Sequence, residues 1–189
     1  MKHWKRILSA LLIGAMALTL FAGCDKKVKV EDELINQMAD YCSTIGLKVE
    51  KEKDNHLAES ALQYISANCT GALTIDFFRK KDETWTGWGT KWVDSDEKIA
   101  LLALLPDAAT SYYRLSWTMV PSDPKSQYYK DPQVIAAAIM KDAFTEGTCS
   151  CQVSDGSPTF EDTVHISMAQ GQIGGYSYYL VIQRKASIG

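Results

Sequence analysis

Apolar positions along the chain fall into three helical stripes and a series of alternating runs, preceded by one segment that fits neither pattern. From Glu33 onward, Leu34, Met38, Tyr41 and Ile45 recur every three or four residues, and Ile35 and Cys42 widen the stripe. That spacing marks one face of an α-helix. Glu31, Asp32 and Glu33 stand where the positive end of the helix dipole favours carboxylates, and Gly46 where a left-handed cap ends the helix. Leu47 to Lys53 alternates weakly, as a short extended link would. The pattern predicts a second helix over 55–67, capped by Asp54 or Asn55, with Leu57, Ala58, Ala61, Leu62, Ile65 and Cys69 as its stripe. A third begins at Pro132, a favoured first helical position behind Asp131. It carries Val134, Ile135, Ala138, Ile139 and Phe144 and stops at Gly147.

Between and after these helices the period changes to two. Leu73, Ile75 and Phe77 alternate with Thr74, Asp76 and Phe78. The run 84–93 is rich in Trp and Thr, and Tyr113, Leu115, Trp117 and Met119 line one face of a later run. Such alternation, with β-branched and aromatic content, reads as strand. The segment 98–105, KIALLALL, is apolar all round. Its Ala and Leu content favours helix, and Asp94 with Glu97 has capping-box spacing. The similar lengths of the neighbouring runs favour a β-meander instead, so the expectation is a central strand buried on both faces. Residues 121–132 hold three prolines and form a loop. A cysteine-bearing strand near 149–153 follows the third helix. The last two strands, carrying Val164, Ile166 and Met168 and then Tyr176 to Arg184, join through a hairpin loop at Gln170 to Gly175. The expected class is α+β, with about three helices packed on one face of an antiparallel β-sheet.

The opening segment has a different anatomy. Lys2, Lys5 and Arg6 precede an apolar run from Ile7 to Phe21, which ends in small residues before Cys24. A cationic start, an apolar core and a small-residue cleavage site make an export signal. Phe21-Ala22-Gly23-Cys24 resembles the lipobox of bacterial lipoproteins, although Phe21 stands where that class usually carries a smaller aliphatic residue. The resemblance covers only these residues and implies cleavage after Gly23 and lipidation of Cys24. On this basis 1–23 is a signal peptide, 24–32 a lipidated N-terminus with a short charged tether, and 33–189 one domain. The location implied is the outer face of the cytoplasmic membrane, with the membrane itself a partner through the lipid.

Charge then narrows the partners. Residues 1–23 hold three of the 20 Lys and Arg and none of the 23 Asp and Glu, so the remainder carries 17 basic against 23 acidic residues, a net charge of −6. A net acidic domain lacks the cation density that binds a phosphate backbone, so nucleic acid is excluded as a partner. The 46% apolar content is that of a globular chain.

Beyond Cys24 there are four cysteines, Cys42, Cys69, Cys149 and Cys151. An even count in an exported chain suits two disulfides or four buried thiols. A Cys149–Cys151 bridge would close a very small ring, and Cys42 and Cys69 are expected at opposite ends of two antiparallel helices. Crossed pairings, or reduced thiols, are therefore the alternatives.

Candidate chemistry is sparse. The bases available after Cys24 are His56 and His165. His165 shares one face of its strand with Thr163 and Ser167, with Asp162 nearby, but no G-x-S-x-G elbow is present. Cys149-x-Cys151 lacks the spacing of a zinc site, and no metal or cofactor is expected. An envelope enzyme or thiol-redox protein using His165 or Cys149/Cys151 is the alternative reading. The stronger signal is aromatic: Trp85, Trp88, Trp92, Tyr112, Tyr113, Trp117, Tyr128 and Tyr129 crowd one third of the chain. Trp88 and Trp92 share a strand face with Thr86 and Thr90, a composition suited to an envelope protein, a peptide or a glycan. The expected function is binding, with Trp88 and Trp92 as the candidate face.

Overall fold

The computed structural model describes residues 24–82, 91–107, 111–121, 130–145, 147–150 and 159–188. Their elements are α1 (Cys24–Ser43), β1 (Lys48–Lys51), α2 (His56–Asn68), a 3₁₀ turn (Ile75–Phe77), β2 (Arg79–Lys81) and β3 (Trp92–Asp94). There follow α3 (Asp96–Leu102), β4 (Tyr112–Val120), α4 (Pro132–Thr145), β5 (Thr148–Ser150), β6 (Thr163–Ile173) and β7 (Tyr176–Lys185). The class is α+β, as expected. Five strands form one sheet in the order β1-β6-β7-β4-β5, and β2 and β3 form a separate two-stranded ribbon.

The layering differs from the expected arrangement in two respects. All pairings in the large sheet are antiparallel except β1 with β6, which run parallel in register Lys48↔Thr163 to Lys51↔Ile166. Helices also cover both faces. Tyr178, Leu180 and Ile182 of β7 join Ala58, Ala61 and Ile65 of α2 in one core. Tyr179 and Val181 join Val30, Leu34 and Met38 of α1 and Ile135 and Ile139 of α4 in the other. Side chains of a strand alternate between faces, so a continuous run such as Tyr-Tyr-Leu-Val-Ile is what a doubly buried strand requires.

Local chemistry explains the close docking of α2. Its N-terminus is fixed to β6 from both sides: the Ala58 amide donates to Ser167 Oγ at 3.1 Å, and the Met168 amide donates to Asn55 Oδ1 at 3.1 Å. Ala58 and Ala61 keep the contact face shallow. Opposite them, a Cβ on Gly171 would come within 2.6 Å of Leu62 Cδ2. The β6–β7 hairpin is tighter than expected, because the strands continue to Ile173 and resume at Tyr176, leaving Gly174 and Gly175 as a two-residue turn. Both have positive φ (+55° and +86°), the requirement of a two-residue turn matched to strand twist.

Two further expectations are corrected. Residues 96–102 are helix, not a central strand. Ser95 caps the helix, its Oγ accepting from the Lys98 amide at 3.0 Å while donating to Phe77 O at 2.6 Å. Lys98, Leu101 and Leu105 turn inward at helical spacing, whereas Ile99 and Leu104 are exposed. The run is thus one-sided, and the β-meander is absent among the described residues. The first helix also starts at Cys24, so the stretch read as a short charged tether before the domain is part of that helix. Val30 and Glu31 are already buried within it. The inward line is Val30, Leu34, Met38 and Cys42, and Tyr41 and Ile45 of the expected stripe lie outside. Gly46 ends the segment with φ +78°, as expected.

Candidate functional site

The β2–β3 ribbon is short and pairs Arg79 with Asp94, Lys80 with Val93 and Lys81 with Trp92. One of its faces therefore carries Arg79, Lys81, Trp92 and Asp94. Every residue of β3 is exposed, and the Trp92 side chain is 43% exposed. Trp88, the other half of the expected face, lies outside the described residues, as do Trp85, Tyr128 and Tyr129. The remaining aromatics divide between surface and core. Tyr113 and Trp117 are buried, with Trp117 stacked on Phe78 at a centroid distance of 5.0 Å. Tyr112 is half-buried and lies edge-on to Phe160.

Three ion pairs lie on and beside the ribbon. Lys91 meets Asp82 at 3.0 Å, Lys80 meets Asp96 at 2.9 Å, and Asp94 accepts from Lys98 at 2.6 Å. The Asp96 hydrogen bond raises the Lys80 pKa. With Asp94 and Asp96 each held by a lysine, the acidic turn is a set of ion pairs. No group of three or more acidic, His or Cys side chains that could hold a metal ion occurs among the described residues. Beneath the ribbon, at the meeting of the 3₁₀ turn, β2, β4 and the end of α4, lies a cavity of about 420 Å³. Sequence patterning gives no signal for it, since its walls come from segments more than 70 residues apart.

His165 lies on the same face of β6 as Thr163 and Ser167. It stands in a polar row across the sheet, paired with Glu50 of β1 and Arg184 of β7, and Arg184 is paired with Tyr113 of β4. Its Nε2 lies 3.3 Å from Glu161 Oε1. Arg184 Nε donates to Glu52 Oε1 at 2.7 Å. Burial works against the charge on Arg184, but the hydrogen bond and charge of Glu52 outweigh it and raise its pKa. Ser167, on the same face, is fully buried beneath α2 with its hydroxyl engaged by the Ala58 amide. It is no nucleophile for an external substrate. The Arg184–Glu52 pair ties β7 to the end of β1, and the His165–Glu161 contact ties β6 to the segment before it.

Cys42 and Cys69 both carry free thiols. They stand in different layers, Cys42 buried at the end of α1 and Cys69 packed on the core beneath α2. Burial raises the pKa of Cys42. Cys149 is placed on β5, and Cys151 lies outside the described residues. Cys24 is the first residue of α1. Among the described residues no helix is long and apolar enough to cross a membrane. A feature that sequence reading missed is the Glu31–Lys51 pair, 2.6 Å apart, which joins α1 to β1. No protein-family model, no curated protein and no solved structure matches the chain.

Proposed function

We propose that the chain is a lipid-anchored, extracytoplasmic binding module that meets an envelope protein, a peptide or a glycan through the Trp92 face of the β2–β3 ribbon. The observation that carries this is the exposure of Trp92 beside Lys81 on a ribbon that stands apart from the main sheet. A large ring at the surface with a cation across the strand offers both apolar area and directional polar contact, the combination found at interface anchors. The export-signal anatomy of residues 1–23 and the Phe21-Ala22-Gly23-Cys24 sequence support the anchored location.

Two experiments test the two halves separately. Mass spectrometry of the chain recovered from membranes is expected to show Cys24 as the first residue, carrying acyl mass; an intact Met1 or an unmodified Cys24 would overturn the anchor. Crosslinking from position 92 in intact cells, followed by identification of the captured species, addresses binding. Trp92→Ala is expected to weaken capture by about thirtyfold, roughly the ~2 kcal/mol of an interface anchor, with thermal stability nearly unchanged. Undiminished capture by that variant would remove the ribbon from the proposal.

A further inference from the structure

The cavity beneath the ribbon has an uneven chemistry. Leu73, Ile75 and Trp117 supply apolar wall, and Thr145 and Gly147 close it from the α4 side. Trp117 cannot easily swing away, because Phe78 stacks on it with an interplanar angle of 28°. Gly147 fixes another part of the wall: a Cβ there would lie 2.5 Å from the Leu115 carbonyl oxygen, and its φ of +143° suits glycine alone. The space is thus held open by packed elements, and its volume of about 420 Å³ falls in the range of small-molecule sites.

Arg79 is the charged residue among those lining the cavity. Its cross-strand neighbour Asp94 is taken by Lys98, and Asp82 by Lys91. Among the described residues the Arg79 side chain has no hydrogen bond or ion pair, although it is half-buried. A guanidinium presents a planar fork of donors that matches a carboxylate in two parallel hydrogen bonds. One cation against apolar walls suits a monoanion with an apolar body. A phosphate dianion would need a second cation, and the described lining supplies none.

We infer that this cavity binds a small carboxylate with an apolar body, its carboxylate on Arg79 and its body against Trp117, Leu73 and Ile75. The same chemistry could arrive as a short fatty acid or as the free C-terminal residue of a peptide. The inference rests neither on Cys24 acylation nor on a partner at Trp92, although Arg79 and Trp92 share one face of the ribbon.

The test is isothermal titration calorimetry on the full chain with four probes. Hexanoate and N-acetyl-leucine carry the carboxylate; hexanol and N-acetyl-leucinamide keep the body without the charge. At least one acid is expected to bind ten times or more tightly than its neutral analogue, and the acid that binds identifies the source. Arg79→Gln should abolish the preference and Arg79→Lys should restore part of it. Equal binding of acids and neutral analogues to the unaltered chain, or binding of none of the four, would overturn the site. Retention of the acid preference by a folded Arg79→Gln would overturn the role of Arg79. The comparison on the unaltered chain stands even if Arg79→Gln fails to fold.

Discussion

Glu31 and Lys51 form an ion pair of unequal partners. The Glu31 side chain is 3% exposed and that of Lys51 41%, and the second carboxylate oxygen of Glu31 has no hydrogen-bond partner. Deleting one member of such a pair is costly when it strands the other in the interior. Lys51→Ala is therefore expected to destabilise the chain by about 3 kcal/mol, and Glu31→Gln by about 1 kcal/mol, because the lysine it releases can be hydrated. Equal urea midpoints for the two variants would refute that asymmetry. The thiols offer a second contrast: Cys42 should resist alkylation in the native state while the half-buried Cys69 reacts, and both should react in urea. Burial raises the pKa of Cys42, Tyr113 and Tyr179 above their ordinary values of 9.0, 10.0 and 10.0; for Tyr113 the nearby Arg184 charge works against burial and is outweighed. The unfolded chain gives up these protons first, so their stabilising effect is complete below about pH 9 and is lost above it. The urea midpoint is expected to start falling as the pH rises past about 9, the ordinary thiol value, and to fall more steeply past about 10, that of the tyrosines.

At the scale of elements, the hairpin turn and the α3 cap are the sharpest tests. A side chain at Gly174 would overlap the Gly71 carbonyl, whereas one at Gly175 would meet nothing within 4 Å. Gly175→Ala should cost only the ~1 kcal/mol of a positive φ, and Gly174→Ala several times more, as read from thermal melts. Ser95→Ala should cost about 1–2 kcal/mol, because it removes the cap of α3 and the link to Phe77 together. These elements also show what sequence could reveal. The three long helices and the last hairpin are legible because each carries its own punctuation: Gly46, Asp54-Asn55, Asp131-Pro132 and Gly174-Gly175. The α3 segment was misread because an apolar run of eight residues does not disclose which positions face outward. Only the packing of Leu101 and Leu105, with Ile99 and Leu104 left exposed, decides it. The second layer was hidden in the same way, since Tyr-Tyr-Leu-Val-Ile was read as an alternation when its continuity was the informative property. The carboxylate cavity was beyond sequence altogether, because Arg79 and Trp117 meet only through the fold.

Across the whole molecule, the sheet depends on its first layer. Val164, Ile166, Met168 and Val181 are covered by α1 and α4, and β1 reaches β6 across more than 110 residues of chain. A chain lacking 24–53 would expose that face, and it is expected to aggregate rather than fold, which size-exclusion chromatography would show. The helical start of α1 has a consequence for where the molecule can act. Cys24 is six residues from Val30, which is buried in the body. With Cys24 acylated as proposed, those six residues span about 9 Å while helical and about 20 Å if pulled straight. The body itself is about 40 Å across for a chain of this length. Nothing farther than roughly 60 Å from the bilayer surface is within reach. A leash this short holds the ribbon and any co-anchored partner in one thin layer, where the local concentration is high. Contacts too weak to register between dissolved proteins would be sufficient there, so vesicles carrying both molecules, rather than free solution, are the setting in which its affinity has meaning.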